Sequence, residues 1–282
     1  MELSRVLFHL FVSTQRGLVN QAAINGHVDV RKAVQDSCAV MDRDECFEYV
    51  YGAAREGTDK VHDCVRVRLH GWKKELGQQL ECTGLTMWRA GEDLGRYLWE
   101  NRAMLFKQGQ GRQRILELGC GLGLCGLVAA QLNPKGVVVL TDGDALTMQK
   151  VCRNIDENSL KNRCCVAART LQWGENKKII SEFKEGFDLV LAADVIYEEK
   201  AIGPLLSTVT ATLRKGQDAL FLLSYARRNV SIDRVLAAAS SMGLTCEVDD
   251  KFSCSAEGEH VYRMRLQRKE EGIIQVAPST AD

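Results

Sequence analysis

The sequence predicts a doubly wound α/β domain of the Rossmann-like kind, preceded by an N-terminal extension. Three observations carry this expectation. Short, mainly apolar runs of strand length recur at residues 115–118, 137–140, 187–192 and 220–223. Helical segments at about 122–132, 145–158, 202–214 and 232–242 separate them. A glycine-rich turn joins the first run to the first of these helices. Strands buried on both faces read as continuous apolar runs rather than as alternation. Their interleaving with amphipathic helices builds a parallel sheet covered on both sides. Such a sheet binds its ligand beyond the carboxyl ends of the strands.

Along the chain, residues 1–60 show no sustained hydrophobic period and are expected to form an extension. Within it, residues 20–34, NQAAINGHVDVRKAV, are similar to the helical part of one ankyrin repeat. A lone repeat cannot bury its own face, and no second copy follows. Residues 61–69, VHDCVRVRL, alternate as a half-buried strand does, with residues 78–82 as the expected partner. Residues 92–106 read as a helix with Leu94, Tyr97 and Leu98 on one face, and Pro134 punctuates the connection after the first helix of the alternating series. Residues 246–248 and 260–266 are expected to close the sheet as an antiparallel pair. From Arg268 the chain is charged and then small and polar, the composition of a frayed tail. The expected organisation is therefore an extension over 1–60, a domain over 61–267 and a tail over 268–282.

Composition narrows the function. Of 282 residues, 37 Lys and Arg balance 37 Asp and Glu, so the chain lacks the net positive charge that a nucleic-acid-coating protein uses. No nucleic-acid partner is expected. No run approaches the roughly 18 apolar residues of a membrane span, so no membrane partner is expected either. The 11 cysteines form no C-x-x-C pair and no alternation with histidine, which leaves no metal site in view. They read as reduced thiols, placing the chain in the cytoplasm or nucleus. The opening MELSRVLFHLFVST lacks the long apolar region and cleavage site of a secretory signal and leaves a mitochondrial presequence as the weaker alternative. A monomer acting on a protein substrate is expected.

The first strand ends in Glu117-Leu118-Gly119-Cys120-Gly121-Leu122-Gly123, where glycines permit positive φ and close approach of a ligand to the backbone. Gly121, Gly123 and Gly126 also match G-x-G-x-x-G, with Asp142 near the spacing of a dinucleotide fold. A nicotinamide-dependent oxidoreductase is thus a competitor. Two features favour S-adenosylmethionine instead. Glu117 stands two residues before Gly119, and an acid there suits a cofactor with a sulfonium and an α-amino group but repels a pyrophosphate. Asp142 ends the second strand, where its carboxylate can accept hydrogen bonds from both ribose hydroxyls. Tyr197 is followed by Lys200 rather than by a lysine four positions on, so a Tyr-x-x-x-Lys oxidoreductase pair is missing.

Five ordered segments extend this reading: TGLTMWRAGEDLGRYL with Trp88, the ILELGCGLG loop, LTDGD, LQWG at 171–174 and FDLVLAADVIY at 187–197. Together they resemble the seven-strand lysine methyltransferases called methyltransferase family 16, over about residues 80–230. The resemblance implies a seven-stranded methyltransferase sheet and cofactor contact by Trp88, Gly119, Cys120, Gly121, Asp142, Trp173 and Ala193. It also implies a D-x-x-Y element at the substrate entrance, here Asp194 to Tyr197.

The residues themselves suit these roles. Trp173, in the turn after the third strand, offers a flat indole for adenine, while Trp88 precedes a helix from which it can close the pocket. Ala193 leaves room beside the cofactor. Asp194 ends the fourth strand, where a carboxylate can orient a nitrogen nucleophile or accept its proton through water. Tyr197 can hydrogen-bond that nitrogen and offer a π-face to the developing cation. A lysine acceptor is favoured, with arginine and histidine left open. A non-catalytic scaffold that retains cofactor binding, with the extension as its docking surface, is the third alternative.

Overall fold

The structure is a computed structural model that describes residues 44–52, 64–73, 83–106, 112–158, 160, 164–216, 218–226, 230–255 and 259–267. The ankyrin-like stretch at 20–34, the expected strand at 78–82 and the tail at 268–282 lie outside the described residues.

Seven strands form one sheet in the order β5-β4-β3-β6-β7-β9-β8. They are β3 (Arg114–Leu118), β4 (Val137–Asp142), β5 (Cys165–Thr170), β6 (Leu189–Ala193), β7 (Leu220–Tyr225), β8 (Leu244–Val248) and β9 (His260–Leu266). The first five run parallel, and β9 pairs antiparallel with both β7 and β8. Strand order reverses between β3 and β6, so the chain winds outward in both directions from that seam. A crevice opens at such a switch point because the loops on either side turn away from each other.

Helices α1 (Arg89–Glu100), α2 (Arg102–Leu105), α3 (Leu124–Leu132), α4 (Ala145–Glu157), α5 (Lys177–Glu182), α6 (Ile202–Thr212) and α7 (Ile232–Ser241) complete the layers. Two apolar cores separate the faces of the sheet. One lies under α1, α3 and α4, with Leu94, Leu98, Leu127, Val128 and Val151 fully buried. The other lies under α5, α6 and α7, with Leu205, Leu206, Val209 and Val235 fully buried. Helices 92–106 were expected as one element; instead the helix breaks at Asn101, whose side chain donates to the Tyr97 carbonyl at 3.1 Å and competes with the helical ladder there. β5 has limits that periodicity does not reveal. As an edge strand it is only half-covered, and its apolar run is short and of small residues (CVAA), so its pairing with β4 decides its limits.

The strand expected over 61–69 is β2 (Val65–Gly71), and its partner is β1 (Glu45–Tyr51) rather than residues 78–82. The reason is the second face of the ribbon. Val65, Val67 and Leu69 alternate inward against α3 and α4, while Phe47, Tyr49 and Tyr51 pack on the same core. Tyr49 donates to Glu92 at 3.1 Å and Tyr51 to the Glu92 carbonyl at 3.3 Å, which ties residues 44–52 of the expected extension to α1.

Among the described residues the outer edge of β2 pairs with no strand; Asn154 of α4 and Asn158 at its C-cap take that place. Asn154 accepts from the His70 N–H at 2.8 Å and donates to the His70 carbonyl at 3.3 Å, while Asn158 accepts from the Arg68 N–H at 3.0 Å and donates to its carbonyl at 2.7 Å. Their i, i+4 spacing sets both amides on one helix face, matched to alternate residues of the strand. Asn154 is fully buried and donates at 3.0 Å to the Leu122 carbonyl as well, so one side chain joins β2 to the glycine turn. Asn154→Ala leaves three backbone groups without partners. It is expected to cost about 2–4 kcal/mol, read as a lower urea midpoint; a cost below about 1 kcal/mol would refute this bridging role.

Candidate active site

The glycine turn is built by conformation and close approach. Gly119, Gly121 and Gly123 have φ of +66°, +51° and +90°, a region that side chains disfavour. A Cβ on Gly119 would sit 2.7 Å from Val195 and 3.2 Å from the Trp173 ring. The turn is held by its neighbours: the Cys120 N–H donates to the Thr141 carbonyl at 2.9 Å, and the Gly121 N–H to Asp142 at 3.2 Å. Asp142 accepts a second bond, from the Asp144 N–H at 3.1 Å, and burial pushes its pKa up. The N-cap of α4 is Asp144, which accepts from the Thr147 N–H at 2.7 Å. Asp142 is thereby left at the strand end rather than used as the cap.

Beyond the carboxyl ends of β3, β4, β5 and β6 lies a cavity of about 640 Å³. Its lining includes Trp88, Gly119, Gly121, Asp142, Trp173, Ala193, Asp194 and Tyr197. Trp88 stands at the start of α1, where its indole donates to the Thr83 carbonyl at 2.8 Å. Trp173 is half-buried on the opposite side, against Gly119.

Glu117 and Cys120 are among the expected cofactor contacts, and neither lines this cavity. Glu117 was expected to face a sulfonium as an anion. It is buried behind the turn instead, where it accepts from the Gly126 N–H at 2.8 Å, and desolvation raises its pKa to about 8. It is a neutral carboxyl that anchors the first turn of α3. Gly126 is needed for this contact, since a Cβ there would sit 2.6 Å from the carboxyl oxygen. The third glycine of the G-x-G-x-x-G match therefore serves this packing, with no dinucleotide involved. Cys120 turns its thiol into the core, and burial raises the thiol pKa well above its ordinary value. Of the three acids given site roles, Glu117, Asp142 and Asp194, the last two reach the cavity.

Asp194 follows β6 with φ of +54°, one of two described non-glycine residues with positive φ. Its N–H donates to the Ser224 carbonyl at 3.0 Å, and the buried Val195 and Ile196 after it fix the loop. Holding a non-glycine residue in this region costs of the order of 1–3 kcal/mol, and such strain concentrates at functional sites. Tyr197 is 54% exposed at the mouth. Sequence reasoning did not find Thr83, Gly84, Gly143, Gln172, Val195, Ala201 or Pro204, which also line the cavity, nor Lys200 as a lining residue. Gln172 donates to the Gly143 carbonyl at 2.9 Å across the mouth. These residues sit in loops, in short 3-10 turns and, for Pro204, in the first turn of α6, where nothing in their residue types marks a site. Ser224 and Tyr225, at the carboxyl end of β7, are buried. Among the described residues no group of His, Cys, Asp or Glu is arranged to hold a metal ion, and no helix is long and apolar enough to cross a membrane.

A five-strand parallel core closed by an antiparallel pair, with glycine turn and acidic strand end around one crevice, defines a Rossmann-like methyltransferase that uses S-adenosylmethionine. The comparisons with known proteins then define the family. Residues 71–241 match the family described as lysine methyltransferase, and the chain belongs to it. It is 24% identical over 254 residues to the calmodulin-lysine N-methyltransferase of Arabidopsis thaliana, covering 88% of this chain and 81% of that protein. It is 32% identical over 158 residues to the protein N-lysine methyltransferase METTL21A of Xenopus tropicalis, covering 56% and 68%. Among solved structures, the S-adenosylmethionine-dependent methyltransferase of Agrobacterium tumefaciens shares the fold with a TM-score of 0.51, at 11% identity and over 72% and 68% of the two chains. Nothing among these relatives favours the oxidoreductase alternative.

The buried carboxyl yields a pH prediction. Glu117 holds its proton in the folded protein up to about pH 8, whereas in the unfolded chain it ionises near 4.5. The folded state therefore binds the extra proton between those values, and stability falls as pH rises through that window. Glu117→Gln keeps an acceptor for Gly126 and cannot ionise, so it is expected to flatten the decline. Urea unfolding from pH 5 to pH 8 measures it, and identical slopes for wild type and variant would rule out a protonated Glu117.

Proposed function

We propose that this chain binds S-adenosylmethionine in the cavity beyond β3, β4 and β6 and transfers its methyl group to the ε-amino group of a lysine on a protein partner. The observation that carries the reading is the strained Asp194 at the mouth of a glycine-floored cavity, in a chain of the lysine methyltransferase family. The absence of a side chain at Gly119 supports the fit, since a Cβ there would fill the floor between Val195 and Trp173. The bound cofactor supplies an electrophilic methyl carbon on a positively charged sulfonium.

The roles of the lining residues follow from their chemistry. Asp142, at the end of β4, accepts hydrogen bonds from the ribose hydroxyls. Trp173 covers the adenine, and Trp88 closes the cavity from the side of α1. Ala193 keeps the path to the methyl group open. A lysine amine has a pKa near 10.4, so only about one molecule in 2,500 is neutral at pH 7. The site must recruit the ammonium and then favour its neutral form. Asp194 does the first by charge and aims the nitrogen through its N–H groups. The apolar wall at the buried Val195 does the second, because desolvation disfavours the charged amine. The departing proton reaches water at the open mouth beside Tyr197, whose ring face stabilises the methylated cation.

We further place this activity in the cytoplasm or nucleus, on a monomer. The nine described cysteines, all free, support a reducing compartment.

Asp194→Asn keeps the left-handed backbone, which asparagine also tolerates, and removes the charge. It is expected to lower methyl transfer from radiolabelled cofactor to proteins of a cell extract by about 100-fold, with cofactor affinity within a few-fold of wild type by calorimetry. Labelling equal to wild type would remove Asp194 from the chemistry. Asp142→Ala should give the converse, a loss of cofactor affinity of about tenfold or more. Unchanged affinity would show that the ribose is held elsewhere.

A further inference from the structure

A second cavity, of about 280 Å³, opens at the amino ends of β3, β6 and β7, the end of the sheet opposite the active-site crevice. Its charged lining consists of Arg112, Arg214, Arg263 and Arg265 against Asp188 and Asp218, and with Asp249 beside Arg263 an excess of one positive charge remains. Arg263 and Arg265 are two residues apart on β9, so the strand's alternation sends both side chains to the same face, the one covered by α2. β9 is an interior strand, and arginines are seldom placed there without a use for the charge.

The carboxylates nearby are already committed. Asp188 receives both terminal nitrogens of Arg214, at 2.6 and 3.2 Å, and the Arg114 N–H at 2.7 Å. Asp249, the acid beside Arg263, is 3.9 Å away and accepts from the Tyr97 hydroxyl at 2.9 Å. The other contact of the Arg263 head is the Met104 sulfur at 3.6 Å, and its Nε is buried with no hydrogen-bond partner. Arg112 bonds through Nε to a backbone carbonyl, that of Lys135 at 3.1 Å, which does not neutralise it. A buried guanidinium N–H without an acceptor is costly, and an oxyanion supplies that acceptor together with the missing charge.

We propose that this cavity is a binding site for a phosphate group, separate from the methyl-transfer site. A phosphate group supplies the anion that balances this excess, and guanidinium forks match its oxygens in pairs. The cavity lies at the small end of the range for ligand pockets. It therefore takes a phosphate on a compact carrier, either a small phosphomonoester or one phosphorylated side chain of a protein.

Calorimetric titration of the full chain with inorganic phosphate, at ionic strength held constant with chloride, tests the site. Binding to wild type is expected, weakened about tenfold in Arg263→Gln and in Arg112→Gln, with S-adenosylmethionine affinity unchanged in both. Arg112 is exposed, so its variant reports on the site even if Arg263→Gln destabilises the fold. Parallel titrations with O-phosphoserine and with a phosphoserine peptide identify the carrier. Tighter binding of the peptide assigns a phosphorylated protein, and equal binding of the two assigns a free phosphomonoester. No phosphate binding, or binding that neither substitution weakens, overturns the proposal.

Discussion

The turn that leads from β3 into α3 is the constraint on which the site depends. Its glycines leave the backbone without side chains to pack, so its shape must be imposed from outside. Two carboxyl groups do this from opposite sides. Asp142 accepts from Gly121 at the cavity surface, and Glu117 accepts from Gly126 in the core behind it. The two acids are chemically alike and differ in what surrounds them. Asp142 reaches the cavity, whereas Glu117 is sealed from water and keeps its proton. A bare glycine floor at the cofactor surface is thus supported by a neutral hydrogen bond that no ligand touches.

The rest of the fold brings loops to that floor. Because strand order reverses between β3 and β6, the loop carrying Asp194 and Val195 comes to lie against Gly119. The β1–β2 ribbon acts from the outer side. Through Asn154 it is bonded to the Leu122 carbonyl, inside the glycine turn, and through Tyr49 and Tyr51 to α1, whose first turn follows Trp88. A peripheral ribbon therefore fixes both the floor and one wall of the cavity, which gives residues far from the chemistry a reason to influence cofactor affinity.

The parallel strands β3, β4, β6 and β7 and the helices behind them were legible in the sequence, since burial on both faces demands continuous apolar runs. β5 was less so, because this half-covered edge strand has only a short run of small apolar residues before Arg169. The partner of β2 was misread because alternation identifies a strand but says nothing about which other strand completes its hydrogen bonds, and here half of that ladder comes from asparagine side chains on a helix. In the site, Gly119, Gly121, Asp142, Trp173, Asp194 and Tyr197 stood at strand ends, where the topology of such sheets directs ligands. Glu117 occupied the same kind of position and misled, because charge type is visible in a sequence and burial of one particular side chain is not.

By itself, the sequence determined the alternation of strands and helices, the glycine turn and the order of motifs that marks a lysine methyltransferase. These are local features, set by periodicity, by residue type and by spacing along the chain. Tertiary structure alone decided that Glu117 is a buried neutral anchor, that Asn154 joins the ribbon to the turn, and that four arginines from three segments converge at the far end of the sheet. Each of these depends on which side chains lose water together, and that is settled by packing between residues far apart in the chain, as with Met104 and Arg263, separated by 159.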